Sequence, residues 1–179
     1  MKALVLFAPG FEEIEAVTPV DVLRRAGLSV DMVGLHGLEV KGAHQILLTM
    51  DKCLDDVIND DVDLLILPGG LPGAHHLRDD QRVISLVRRL HEQGKILAAI
   101  CAAPIILEKA GVLKGCRVTA YPSKEEELSS ASYCGSRVEV DANIVTAKGA
   151  GCSMEFALAL LNKMGLEANA KEISTAMFA

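Results

Sequence analysis

Ile96-Leu97-Ala98-Ala99-Ile100-Cys101-Ala102-Ala103-Pro104-Ile105-Ile106-Leu107 reads as a strand, a sharp turn and a helix. Such a turn holds Cys101 at the C-terminal edge of a parallel sheet and at a helix N-terminus, where backbone N–H groups and the helix dipole favour a thiolate. Cys101 is therefore a candidate nucleophile; the alternative is a buried, inert cysteine, common in apolar runs. Outward from this segment, the same alternation recurs. Strands are expected at Lys2 to Phe7, Ser29 to Gly34, Leu64 to Leu67 and Arg117 to Ala120, and helices at Glu13 to Ala26, Gln81 to Gln93 and Pro104 to Ala110. A helical patch is expected at Lys124 to Ser129. Arg137 to Asp141 and Ile144 to Ala147 flank Ala142-Asn143 as a short antiparallel hairpin, and helices Met154 to Met164 and Leu166 to Phe178 follow. Val40 to Met50 contains two short β-like pieces that could form a side hairpin. Continuous apolar strands between amphipathic helices specify an α/β protein with a mostly parallel sheet covered on both faces, in an open doubly wound order.

The bulk composition narrows the function. The chain has 179 residues, enough for one domain spanning 1–179 with a substantial core. Half of it is hydrophobic, yet it holds no Trp, two Tyr and four Phe, so the core is built from aliphatic residues. A net charge of −6, with no run of Lys or Arg longer than two, argues against nucleic acid as a partner. No stretch approaches the roughly 18 apolar residues of a membrane span, and Met1 to Phe7 reads as a first strand rather than a leader. A cytoplasmic location is expected, with no membrane partner. Cysteines 53, 101, 116, 134 and 152 are odd in number and lack a C-x-x-C pair, which suggests neither a disulfide framework nor a metal site. No G-x-G-x-x-G fingerprint follows any strand, and no cofactor is implied.

Three strand ends carry unusual chemistry: Ala8 to Glu15, Pro68-Gly69-Gly70 and Cys101. In a parallel sheet they share one edge. Glu12 and Glu13 read most simply as negative charge in the opening turn of a helix. Glu15 differs, because its helix neighbours Val17, Val20 and Leu23 are apolar and Pro19 removes the N–H that would bond its carbonyl. A carboxyl partly buried there has its pKa raised, and facing Cys101 it can hold a proton and act as a shuttle. Gly69 and Gly70 permit close approach to a ligand, and with Ala102 they are candidate oxyanion donors. A simple tight turn is the other reading of the glycine pair.

Glu-Glu-x-Glu at 12 to 15, Leu67-Pro68-Gly69-Gly70, Ala98-Ala99-Ile100-Cys101-Ala102-Ala103-Pro104 and Lys148-Gly149-Ala150-Gly151 together resemble the ThiJ/PfpI superfamily, most closely its parkinsonism-associated branch. The likeness runs end to end and includes Pro19 to Gly27 and Glu155 to Leu158. It implies a flavodoxin-like three-layer sandwich that forms a homodimer. It also implies Cys101 as an oxidation-sensitive nucleophile at a nucleophile elbow, Glu15 as its protonated partner, and Gly69, Gly70 and Ala102 as oxyanion donors. Arg25 corresponds to a position that approaches the partner's cysteine, or else is a solvated helix-end arginine.

The departures from the family are informative. Members described as proteases carry a histidine after the nucleophile, where this chain has Ala102. Members assigned glutathione-independent glyoxalase or deglycase activity often carry a histidine after the fifth strand, where this chain has Tyr121. Tyrosine is a poor base near neutral pH, which leaves proton transfer to Glu15; Tyr121 could contact substrate or simply end a strand. His75 and His76, beside the glycine pair, either supply an imidazole at the site mouth or lie on the surface. Cys152 reads as a size-conserving replacement of a family hydroxyl residue, not as a catalytic group. The leading expectation is an enzyme acting on a small aldehyde or dicarbonyl such as methylglyoxal, or its adducts. The alternative is an oxidative-stress sensor or redox-regulated chaperone, with an amidase or peptidase last.

Overall fold

The computed structural model describes residues 1–179. In chain order the elements are β1 (Lys2–Phe7), α1 (Glu13–Arg25), β2 (Ser29–Gly34), β3 (Glu39–Lys41), β4 (Leu47–Thr49), β5 (Lys52–Cys53), α2 (Leu54–Val57) and β6 (Leu64–Leu67). They continue as α3 (Gly73–Asp79), α4 (Gln81–Glu92), β7 (Ile96–Ile100), α5 (Pro104–Ala110), β8 (Arg117–Val118), β9 (Ser132–Tyr133), β10 (Val138–Asp141), β11 (Ile144–Ala147), α6 (Ser153–Lys163) and α7 (Glu167–Ala176). Short 3-10 turns cover Pro122–Glu127 and Ala150–Cys152.

A seven-stranded sheet of order β10-β11-β7-β6-β1-β2-β5 forms the middle layer, parallel except for β10. Its central strands are apolar on both faces because both faces are covered. Leu4, Leu6, Leu65, Leu67, Leu97 and Ala99 pack into one core with α3, α4 and α5. The alternate residues Val5, Phe7, Leu64, Ile66, Ala98 and Ile100 pack into the other, with α1, α6 and α7. The period of two along each strand thus assigns side chains to opposite layers. Each fully buried Leu or Ile contributes roughly 1.5–3 kcal/mol. The fold is the expected α/β three-layer sandwich, and no helix is long and apolar enough to cross a membrane.

Local differences have physical reasons. The strand expected at Arg117 to Ala120 shrinks to Arg117–Val118 and pairs with β9 outside the central sheet, held to it instead by the Thr119 N–H donating to Thr146 Oγ1 at 2.9 Å. The helical patch expected at Lys124 to Ser129 is a 3-10 turn starting at Pro122, whose fixed φ suits a first helical position. The side hairpin within Val40 to Met50 forms as β3 and β4. Helix α1 continues through Pro19 without a break. Helix α3 is not anticipated by periodicity, since its seven residues span fewer than two full turns.

Candidate functional site

In strand order, β1 and β6 are neighbours, but the chain leaves β1 for α1 in one layer and β6 for α3 in the other. Their C-terminal ends form the crevice where open α/β sheets place ligands. The two departing loops touch. A Cβ on Gly70, whose φ is +86°, would lie 2.6 Å from the Gly10 carbonyl oxygen, so only glycine fits. Across the same contact the Glu12 N–H donates to the Gly69 carbonyl at 3.0 Å, and the Gly69 N–H donates to Glu15 Oε2 at 3.0 Å. A side chain at Gly69 would meet Glu15 Oε2 at 2.5 Å and Cys101 Cβ at 2.7 Å. Gly69 is required by packing between Cys101 and the Glu15 carboxyl, and Gly70 by packing against Gly10 and Glu12.

Cys101 follows β7 with φ +63°, a left-handed conformation costly for a residue with a side chain. Strict alternation along β7 would turn its side chain toward the layer of Leu97 and Ala99. Instead it packs against the opposite core, the side of α1, where Glu15 stands only 1% exposed. The left-handed turn therefore brings thiol and carboxyl together. Ala102 and Ala103, both buried, leave room for the turn before Pro104 opens α5.

The electrostatics describe a shared proton. Burial raises Glu15 to about 7, helped by the charge of Glu12 and opposed by hydrogen bonds from Cys101 and the Gly69 N–H. Burial, then the charge and hydrogen bond of Glu15, push Cys101 up to about 12, opposed by the N–H groups of Ala102 and Gly70 aimed at the sulfur. The expectation that the helix start favours the thiolate is corrected here, because desolvation outweighs the backbone donors. Once the pair has lost its first proton, the two groups share one proton and one negative charge. With that proton on Glu15, the carboxyl donates to a thiolate that Gly70 and Ala102 also face.

The oxyanion set is also corrected. Gly69 N–H is already committed to Glu15, which leaves Gly70 and Ala102 as donors near the sulfur. Tyr121 donates its N–H to the Cys101 carbonyl at 2.8 Å, and its ring, 53% exposed, lies over Gly149 with a Cβ there 3.8 Å away. A groove of about 560 Å³ runs beside it, lined by Ser123, Lys148, Gly149, Ala150 and Cys152. Cys152 is 5% exposed. His76 is exposed and His75 lies half-buried on α3, its charge bearing on Asp79 rather than on Cys101. Arg25 is ion-paired to Asp21 at 3.0 Å and borders a separate cleft of about 290 Å³ with α7, away from Cys101 of its own chain.

Sequence reasoning missed Glu13 and His44. Glu13 is buried and accepts the His44 N–H at 2.7 Å, while His44 Nδ1 lies 2.9 Å from its other oxygen. Its reading as a solvated helix-start charge is corrected: it clamps the tip of the β3–β4 hairpin onto α1. A hint was present in Gly42, where a Cβ would strike the Glu13 carboxyl, but only the folded chain shows that approach.

Fold and site together define a flavodoxin-like α/β protein with a cysteine on a left-handed strand-to-helix turn and a buried carboxyl beside it. The chain belongs to the DJ-1/PfpI family, whose sequence profile matches residues 1–163. Protein dj-1beta of Drosophila melanogaster is 39% identical over 176 residues, which cover 97% of this chain and 94% of that protein. Its crystal structure superposes with a TM-score of 0.97 at 37% identity, covering 99% of this chain and 97% of that one. The Parkinson disease protein 7 homolog of Danio rerio is 37% identical over 176 residues, covering 95% and 93% of the two chains. A structure of oxidized Toxoplasma gondii DJ-1 has a TM-score of 0.95 at 35% identity, covering 99% and 97%.

Proposed function

We propose that this protein is a cysteine-dependent, cofactor-independent enzyme of the glyoxalase or deglycase type, acting on reactive dicarbonyls such as methylglyoxal or their adducts. The observation that carries this reading is the left-handed turn that sets Cys101 on the side of the buried Glu15 carboxyl, which the Gly69 N–H holds at 3.0 Å. The Cys101 thiolate adds to the aldehyde carbon, and the two N–H groups stabilise the developing oxyanion. Glu15 gives its proton to that oxyanion, and the carboxylate so formed takes the proton from the same carbon and returns it to the neighbouring one. Water then cleaves the thioester to release the hydroxy acid and restore the thiol. The sum is one dicarbonyl plus one water to one hydroxy acid, an internal redox reaction needing no external oxidant. Tyr121 and the adjoining groove are candidate substrate contacts.

A second reading, an oxidative-stress sensor or redox-regulated chaperone, draws on the same pair: peroxide oxidises Cys101 to the sulfinate, and protonated Glu15 donates to it. The oxidized Toxoplasma gondii structure lends it support by likeness. An amidase would need a further base beside Cys101; His75 and His76 lie on α3, half-buried and exposed. The proposal includes a homodimer. Ile14 and Val17 on α1 and Ile46 and Leu47 at the hairpin are exposed apolar side chains on the two elements that the Glu13–His44 contact joins. It also includes a cytoplasmic setting, in keeping with five free thiols.

The test is anaerobic conversion of methylglyoxal to lactate by wild type, Cys101→Ser and Glu15→Gln. Turnover by the wild type, reduced on the order of 100-fold or more by either substitution, is expected. No wild-type turnover above the uncatalysed rate, in protein shown by mass to be unoxidised, overturns the enzyme and favours the sensor.

A further inference from the structure

Outside the reacting pair, three titratable side chains converge at the tip of the β3–β4 hairpin. His44 Nδ1 stands 2.9 Å from Glu13 and 3.4 Å from Glu12. Both glutamates belong to the opening of α1, and each leads to the reacting pair by a different route. Glu13 holds the hairpin in place through the His44 N–H. Glu12 shares the Gly69 peptide with Glu15: its N–H donates to the Gly69 carbonyl, while the Gly69 N–H donates to the Glu15 carboxyl. Glu12 is the N-cap residue of α1 and Glu15 lies in its first turn, so the two stand within one turn of each other.

We propose that His44 is a positioning residue for the Cys101–Glu15 pair, acting through the charge of Glu12. Glu12 opposes ionisation of Glu15, because a second negative charge close by is unfavourable. Protonated His44 offsets that charge. The ionisable groups that bear on His44 are Glu12 and Glu13, both from α1, and both favour its charged form. Those that bear on Glu15 are Cys101, from the turn after β7, and Glu12 on its own helix. With His44 charged, the pair releases its first proton more readily; without that charge, Glu12 acts unopposed and the proton is held to higher pH. The inference rests on the pairing of Cys101 with Glu15, and it is independent of which substrate the thiolate attacks.

The test follows the rate of Cys101 alkylation by iodoacetamide against pH, with the site of modification confirmed by mass, in variants of the full chain. His44→Gln is expected to move the rising limb up by about half a pH unit, the scale of one partly screened charge pair. His44→Lys keeps a positive charge and is expected to leave the limb at its wild-type position. In a Glu12→Gln background, the His44→Gln shift is expected to vanish. A shift that persists unchanged without Glu12 overturns the proposal, since loosening of the hairpin alone would give that result. Absence of any shift in His44→Gln overturns it as well. Because the readout is alkylation, failure of methylglyoxal turnover sinks the proposed reaction without deciding this inference.

Discussion

Cys101 and Cys152 both stand where a sheet strand gives way to a helix, yet they have different surroundings. Cys101 turns through φ +63° and faces Glu15 from the end of β7. Cys152, beyond the end of β11, has φ −107°, is nearly buried, and has the Arg137 cation nearby, itself paired to Glu155. A helix start alone therefore does not place a thiol beside a buried carboxyl. The left-handed turn matters because it swings the side chain out of strand alternation and into the layer where Glu15 is buried.

The comparison breaks most sharply under alkylation. Above the pH at which the pair loses its first proton, Cys101→Ser is expected to remove the fast phase of iodoacetamide labelling, while Cys152→Ser leaves its rate within about twofold. Equal labelling of both thiols in the wild type would show that the left-handed turn and Glu15 confer no advantage.

A thermodynamic contrast follows from Glu15. Its ionisation is raised to about 7 from an ordinary value of 4.5, so the folded protein binds more protons than the unfolded chain between those limits. Stability must then fall as pH rises from about 4.5 to about 7, and the penalty persists above that range. Glu15→Gln removes the buried charge. Relative to wild type it is expected to be more stable by about 3 kcal/mol at pH 8, with the gap shrinking as pH falls toward 5. Chemical denaturation at the two pH values measures it; a gap independent of pH would mean that Glu15 is not held protonated by burial.

The smallest expected effect probes the close approach that Cys101 needs and Cys152 does not. Gly69→Ala places a methyl 2.5 Å from Glu15 Oε2 and 2.7 Å from Cys101 Cβ. A destabilisation of about 1–3 kcal/mol is expected, together with slower alkylation of Cys101. Gly151→Ala, beside Cys152, meets nothing within 4 Å and is the matched control. Equal melting temperatures for the two variants would show that the Gly69 contact relaxes at no cost.

Much of this site is legible without coordinates, and the reason is local. Strand-turn-helix at Cys101, the glycine pair after β6 and the acidic opening of α1 are each written in fewer than ten consecutive residues, where periodicity and turn chemistry operate. The parallel fold places all three on one edge. Less legible was the division of labour among them. Gly69 and Glu15 are separated by 54 positions and His44 and Glu13 by 31, so neither hydrogen bond leaves a trace in local pattern.

The sequence by itself determined the α/β class, the two-faced core and the identity of Cys101 and Glu15 as the reactive candidates, because apolar period and breaker residues act over short range. Only the tertiary structure decided that Gly69 supports Glu15 instead of an oxyanion, that β8 leaves the central sheet, and that His44 closes on α1. Those outcomes depend on which distant groups meet once both layers have packed, and on burial shifting a proton between them.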